Sequence, residues 1–428
     1  MTLDTPAAKP AHLTGGTNSF SPEDIAWIAG QFQITDPRVA EAPFSKRGNI
    51  NLHTYEVSDG RQEYLLQKVN SDVFTMPHRV MQGMLASIEA QASAKAQMLC
   101  DELWEPVTLI PTHSGRPYLD LSDPEGLSVW RLMVKIPNAV TYKSLSEVEG
   151  REAQLRLAEE VGKGIAIYSD LTSSIDPSSI EGSLPGYRDT SVYYGQFHSV
   201  MARNRSLAEV SGLPSDLIVR SSTEQHFLLA LDEDSFMART NDPDLMPFIE
   251  LVMEREPFAM GLWTALEEAR IRHTLIHGDT KIENFLFCAD TGRVKSLVDL
   301  DTVMPFTWLA DWGDLQRSMV NVAGEKETDL SKVKVNRDVY IAVTRGFLHS
   351  AKEITDGEIE MLVPAVEAIT LELGLRFLTD YLRGDTYFQL GPEDPADLNK
   401  TRAMVQLTLY HSLVEFRPEA EALIASLR

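Results

Sequence analysis

The residues that could do chemistry lie in one stretch, residues 273–314, which reads HTLIHGDTKIENFLFCADTGRVKSLVDLDTVMPFTWLADWGD. His277-Gly278-Asp279 opens it. Asn284 follows five residues after the aspartate, and Asp299 lies fifteen residues beyond Asn284, with Asp301 close behind. A loop aspartate can accept a hydroxyl proton and orient the oxygen for in-line attack on phosphorus. An asparagine amide oxygen and a second carboxylate can hold Mg²⁺ on nucleotide phosphates. Lys281, two residues after Asp279, can contact the transferred phosphate as a point charge. Two short apolar runs, 285–288 and 294–300, flank the turn Ala289-Asp290-Thr291-Gly292-Arg293. They predict a hairpin that returns Asp299 to the edge of the loop carrying Asp279.

Other elements must hold that stretch in place. Ser21 and Pro22 predict a helix start. Residues 50–57 and 62–69, joined by Ser58-Asp59-Gly60, predict a hairpin. Val80, Met81, Met84, Leu85 and Ile88 fall at helical spacing and predict a helix over 77–99. Strands are expected over 107–111 and 117–121, joined through Ser114-Gly115, and over 128–136, before Pro137-Asn138. Beyond that breaker the periodicity is helical: 152–168, 223–235, 243–271, 357–384 and 396–426. Residues 182–189 form a loop rich in Pro and Gly. The expected organisation is an α+β chain with a loose arm over 1–19, a strand-rich lobe over 20–137 and a larger helical lobe over 138–428.

Composition removes several classes. Hydrophobic residues are 43% and charged residues 24%, which is globular composition. The net charge of −24 opposes nonspecific contact with phosphate backbones or anionic lipid, so neither a nucleic-acid nor a membrane partner is expected. No apolar run reaches membrane-spanning length. Two cysteines, Cys100 and Cys288, indicate no disulfide framework. With no signal-peptide pattern, the expected location is the cytoplasm. Zinc spacing, a G-x-S-x-G elbow and a Walker A loop are absent from the sequence.

The frame H-G-D-T-K-I-E-N matches the H-R-D-x-K-x-x-N catalytic loop of protein kinases. The chain resembles the aminoglycoside phosphotransferase and choline kinase superfamily and, within it, the N-acetylhexosamine 1-kinases. The blocks carrying this are RGNINLHTYEV (47–57) with YLLQKVNSDVF (64–74), HGDTKIENFLF (277–287), VDLDTVMPFTWLADWGD (298–314) and RFLTDYLRGDTYF (376–388). The resemblance implies a two-lobed protein-kinase-like fold with a small antiparallel N-lobe sheet. It also implies ATP- and Mg²⁺-dependent phosphorylation of a sugar on its anomeric hydroxyl, and the expected state of the protein is a monomer or homodimer. Asp279 would be the catalytic aspartate, with Asn284 and Asp299 as metal ligands and Asp301 supporting the metal site. Arg376 and Tyr387 would lie at the sugar. Gly48, Asn49 and Asn51 would belong to the loop covering the phosphates, and residues 135–137, with Lys135 and Ile136, to the hinge near adenine.

The sequence departs from the superfamily in places. The phosphate loop has one glycine. The strand cation that usually touches the phosphates would fall at Gln67 or Lys68, but Gln67 has no charge and alternation turns Lys68 to the other face. Glu89 is a weak match for the acidic partner on the following helix, and Pro305-Phe306 stands where Pro-Gly is expected. Asp311 reads as an anchor of the catalytic loop, His277 as a structural hydrogen-bonder, and Trp308, Trp312 and the methionines as core. Arg376 could equally form a plain surface ion pair. Aminoglycosides, choline or another hydroxyl compound remain as acceptors, and a catalytically silent binding module remains as a different class.

Overall fold

The computed structural model describes residues 7–8, 20–43, 51, 53–97, 99, 101–123, 126–210, 212–388 and 390–427. The strands are β1 Ala7–Ala8, β2 Arg38–Pro43, β3 Thr54–Ser58, β4 Glu63–Lys68, β5 Leu109–Ile110, β6 Leu119–Asp123, β7 Gly126–Val134, β8 Ala139–Val140, β9 Thr274–Ile276, β10 Phe285–Cys288, β11 Val294–Leu297 and β12 Met304–Phe306. The α-helices up to the catalytic stretch are α1 Pro22–Ala29, α2 Pro77–Ala96, α3 Arg151–Thr172, α4 Thr190–Met201, α5 Ser215–Arg220, α6 Glu233–Thr240, α7 Met246–Glu254, α8 Glu256–Ala259 and α9 Gly261–Glu267. After it come α10 Trp308–Val320, α11 Arg337–Ser350, α12 Asp356–Glu360, α13 Leu362–Arg383 and α14 Leu398–Leu427.

The N-terminal sheet runs in the order β1-β6-β7-β4-β3-β2, with β5 also on β7. All its pairings are antiparallel except β1 on β6. Two residues of the expected loose arm, Ala7 and Ala8, are therefore paired, opposite Leu121 and Ser122. The segments 107–111 and 117–121 do not pair with each other. Both lie on β7, one beyond the other, because β7 is long enough to carry two short partners on one edge. The chain leaves this sheet at Val134 and next pairs at β8, with β10. The result is a two-lobed α+β fold with a helical C-terminal part.

Helix α1 begins with a capping box in which Ser21 and Asp24 each receive the other's backbone N–H. It covers one face of the sheet, burying Ile25, Ile28, Phe32, Leu66, Trp130 and Leu132. The other face receives α2, whose Val80, Met81 and Met84 join a core that continues into Tyr168, Leu300 and Val303 of the C-terminal part. Ser87 and Tyr168 add a buried hydroxyl pair at 3.1 Å. Glu89 points out to solvent and is not an acidic partner for the site.

Three expected helices are broken, and residues 357–384 divide at Met361 into α12 and α13. Residues 223–235 hold a 3-10 turn at Glu224–Phe227 and only the start of α6, which Asp232 caps. Residues 243–271 split into α7, α8 and α9, with Pro257 in the first turn of α8 and Gly261 opening α9. Proline lacks the N–H that a continuous helix would need there. Helices α3 and α11 cross at Gly162 and Gly346, whose missing side chains let each backbone touch the other.

Candidate active site

Strands β9 and β12 pair antiparallel with Ile276 opposite Met304, so the loop that leaves β9 runs beside the one that enters β12. Gly278 makes this approach feasible. Its φ is +86°, and a Cβ there would meet the Thr302 carbonyl oxygen at 2.6 Å. The glycine of the H-G-D triplet is thus a steric requirement. Thr302 Oγ1 donates to the His277 carbonyl at 2.8 Å. The Asp311 carboxylate accepts the His277 and Gly278 backbone N–H groups at 2.6 and 2.8 Å. His277 is buried and its Nε2 lies 2.8 Å from the Val298 carbonyl. Trp308 and Trp312 are core, both against Phe347. Cys288 is buried in β10.

Asp279, Lys281, Asn284 and Asp299 converge on this loop pair. Lys281 Nζ lies 2.9 Å from Asp279 Oδ2. Burial works against the lysine's charge, but the Asp279 carboxylate outweighs it and holds the ammonium above its usual range. Asn284 Nδ2 donates to the Asp279 carbonyl at 2.8 Å, and the Asn284 carbonyl accepts the Val298 N–H at 2.8 Å. The hairpin β10–β11 thereby returns Asp299 to the loop. Asp299 adopts the left-handed conformation, φ 65° and ψ 60°, which a short polar side chain tolerates. Confinement by the surrounding protein, then Asp301 and Asp279, push its carboxyl well above the usual carboxylate range.

That donor set fits a hard divalent cation. Asn284 has its amide nitrogen on a carbonyl, so its oxygen is the atom that remains for a metal. The crowding of Asp279, Asp299 and Asp301 is a concentration of negative charge that a cation would offset. Among the described residues no set of three or more His, Cys, Asp or Glu is arranged as a metal cage. A cation here would have few protein ligands and would take phosphate oxygens and water for the rest, the usual pattern for Mg²⁺.

Two expectations change, those for Asp301 and Gln67. Asp301, expected at the metal, has both oxygens engaged: Oδ1 is 2.5 Å from Arg131 Nη2 and Oδ2 accepts Asn51 Nδ2 at 2.5 Å. It is a buried brace. Gln67, expected at the phosphates, accepts Arg131 Nε at 3.0 Å through Oε1. Lys68 lies on the opposite sheet face, 5.4 Å from the Phe20 ring centre. Lys135, at the end of β7, has its ammonium 2.6 Å from Glu56 and 3.0 Å from Glu63. Ile136 follows in the link to β8, where Lys295 Nζ donates to the Pro137 carbonyl at 2.6 Å. Gly48 and Asn49 lie outside the described residues. Pro305 pairs with Leu275 and Phe306 packs on Trp263, so this departure from Pro-Gly goes into packing.

On the far side of Asp279 the site opens into a cavity of about 580 Å³ and a neighbouring one of about 750 Å³, which share Tyr187 and Arg376. Charges here are largely paired. Arg188 meets Asp314 at 2.9 Å and Glu372 at 3.4 Å. Arg317 meets Asp314 at 2.6 Å and Glu325 at 3.2 Å. Burial would raise Asp314, but Arg317 and Arg188 outweigh it and bring the carboxyl down to about 2. Arg376 is different. It donates to Tyr387 Oη at 3.1 Å, and its guanidinium carbon lies 4.8–5.6 Å from the ring centres of Tyr193, Tyr187, Phe388 and Tyr387. Among the described residues no carboxylate lies within ion-pair distance of it, so the surface-ion-pair alternative falls away.

Sequence reasoning missed three residues here. Arg131 left a signal, a charged side chain inside the apolar strand SVWRLMV. Asp380 explains much of the block RFLTDYLRGDTYF. Its carboxylate accepts the backbone N–H groups of Thr386, Tyr387 and Phe388 at 3.0, 2.9 and 2.8 Å and pairs with Arg383. It thereby fixes the turn that carries Tyr387. Tyr187 donates to the Gly278 carbonyl at 2.7 Å, and no spacing in the sequence points to that.

The sequence profile of the phosphotransferase enzyme family (APH) matches residues 43–329. The chain belongs to this family. It is a phosphotransferase that acts on hydroxyl groups. Solved structures agree on the fold. A microcompartment-associated aminopropanol kinase superposes with a TM-score of 0.52 at 13% identity, covering 93% of this chain and 98% of that one. The amicoumacin kinase hAmiN, in complex with AMP-PNP, Ca²⁺ and Ami, gives 0.52 at 12%, covering 91% and 96%. An aminoglycoside phosphotransferase from Alicyclobacillus acidocaldarius gives 0.51 at 12%, covering 92% and 96%. No helix among the described residues is long and apolar enough to cross a membrane.

Proposed function

We propose that this phosphotransferase uses ATP with a divalent cation, Mg²⁺, to phosphorylate the anomeric hydroxyl of a hexose, with an N-acetylhexosamine as the favoured acceptor. Asp279 orients the acceptor hydroxyl and takes its proton as the oxygen attacks the terminal phosphorus. The new O–P bond forms as the bond to the nucleoside diphosphate breaks. Lys281 offsets charge on the phosphoryl group in transit. Asn284 and Asp299 would hold the cation, which when bound neutralises phosphate charge. A nucleotide and divalent ion in the hAmiN complex support this part of the reading.

The observation that carries the acceptor class is the charge of the cavity wall. Arg376 is a cation boxed by four aromatic rings with no carboxylate partner among the described residues. Arg188 and Arg317 stand beside it already paired. The charge of Arg376 opposes a cationic group placed against it, as choline or an aminoglycoside would bring. It suits a neutral, hydrogen-bonding acceptor whose acyl or hydroxyl oxygens can take the guanidinium's donors.

The test is ATP consumption with Mg²⁺ over N-acetylglucosamine, N-acetylgalactosamine, glucose, galactose, mannose, glucosamine, choline and kanamycin, with phosphorus NMR of the products. A sugar 1-phosphate is the expected product. Turnover of choline or kanamycin alone would overturn the acceptor assignment. In parallel, Asp279→Asn should cut turnover by about 10²–10⁴-fold, the usual worth of a positioned base, while ADP binding measured by calorimetry persists.

A further inference from the structure

Thr54, Gln67 and Arg131 stand directly opposite one another across three neighbouring strands, in one row of the sheet. Side chains in such a row share a face. Here they form a chain. Arg131 donates to Gln67 Oε1 through Nε at 3.0 Å and also through Nη2. Gln67 Nε2 donates to Thr54 Oγ1 at 3.0 Å, and Thr54 Oγ1 donates to the Asn51 carbonyl at 3.0 Å. Asn51 Nδ2 donates to Asp301, whose other oxygen meets Arg131. The chain therefore closes into a ring of five residues. Every member is buried, with Arg131 and Asn51 each at 1% exposure and Asp301 at 3%.

The ring joins five pieces of the molecule. Asn51 follows the expected phosphate loop and also accepts the Asn70 N–H at 2.8 Å. Thr54, Gln67 and Arg131 come from β3, β4 and β7. Asp301 comes from the turn that carries Asp299, two residues before it. The Asp301 carbonyl in addition accepts Ser183 Oγ at 2.9 Å. Helix α2 contributes no carboxylate. It offers Met84 Sδ, 3.2 Å from Arg131 Nη1, and Gly83, which lies flat against Val303 just past the turn. A buried arginine with a buried carboxylate is costly to desolvate and is held only where geometry matters or every donor is met. Arg131, buried at 1%, is too deep to touch a nucleotide and acts through Asp301.

We propose that Arg131, Asp301 and Asn51 are positioning residues that lock the Asp299 turn to the phosphate side of the sheet, so that the cation and the nucleotide phosphates bind as one unit. This rests on the nucleotide-binding reading above. Lys68 of β4 lies on the other face of the sheet and Glu89 of α2 points to solvent, so neither ties the sheet to this turn.

The measurement is calorimetric binding of ADP with and without Mg²⁺, with thermal unfolding recorded for each protein. Asp301→Asn keeps shape but loses the charge facing Arg131. Asn51→Ala cuts the ring without touching the ion pair, which covers the case in which Asp301→Asn fails to fold. The expected result is at least a tenfold loss of Mg²⁺-dependent ADP affinity in either folded variant, with Mg²⁺-free affinity changed less than twofold. Equal losses with and without Mg²⁺, or Mg²⁺-dependent affinity within twofold of the parent, would overturn the positioning role. If the parent protein itself binds no ADP, the nucleotide-binding reading fails, and the inference falls with it.

Discussion

Asp279 is one atom-to-atom contact away from a lysine and two residues away from it in sequence, so this part of the site is built from nearest neighbours. Asp380 shows the other kind of residue. It lines the cavity of about 750 Å³, but its carboxylate is taken up by three backbone N–H groups, which set the turn that places Tyr387 beside Arg376. Asp380→Asn would turn an amide donor toward those N–H groups. Its acceptor KM should rise about tenfold or more, the size of one lost charge-assisted hydrogen bond, while the KM for nucleotide stays within twofold; steady-state kinetics in both substrates checks this. His226 stacks edge-on to Tyr387 at 5.0 Å. Burial, then Arg383, bring its imidazole down to about 4 from 6.5, with Arg376 in the same direction and Asp380 opposing. Between those values the unfolded chain binds a proton that the folded one refuses. Stability should therefore fall as pH drops from 6.5 toward 4. Denaturant midpoints across that range should show a shallower slope for His226→Asn than for the parent.

At the scale of elements, the site depends on close backbone approach. Gly278 lets the H-G-D loop lie on the Thr302 carbonyl, and Gly162 and Gly346 let α3 and α11 cross with their backbones touching. A methyl group at Gly346 would overlap the Glu159 carbonyl, a backbone atom that cannot rotate away. Gly346→Ala should cost about 1–3 kcal/mol of stability, read from urea unfolding. A smaller effect would mean that the helices can slide apart. Helix α2 does not behave as a separate lid: its methionines enter the same core as Tyr168 and Leu300, so it is packed onto both the sheet and the Asp299 turn.

Across the whole molecule the dominant quantity is the net charge of −24. Self-repulsion of that size opposes compaction, and salt screens it. Raising NaCl from about 10 mM to about 150 mM shortens the Debye length from about 30 Å to about 8 Å. The unfolding temperature should rise over that range, and a fall would mean that exposed ion pairs such as Arg203–Glu233, which salt also screens, outweigh the net repulsion. The excess of acid is not repeated at the acceptor side of Asp279, where paired arginines and the caged Arg376 form the wall.

The amino-acid sequence alone determined the order of lobes, most strands, the capped first helix and the local spacing that brings Asp279, Lys281 and Asn284 onto one loop. These depend on period, turn chemistry and short loops, which are written within about twenty residues. It also pointed to Arg376 and Tyr387 through a block of residues without saying what that block does. Only the tertiary structure decided that Gln67 and Asp301 are braces, that Arg131 is the cation they surround, and that Asp380 sets the Tyr387 turn. Those assignments turn on which side chains meet across strands and loops far apart in the chain. A polar residue carries the same letter whether its partner is a phosphate, a metal or a buried neighbour.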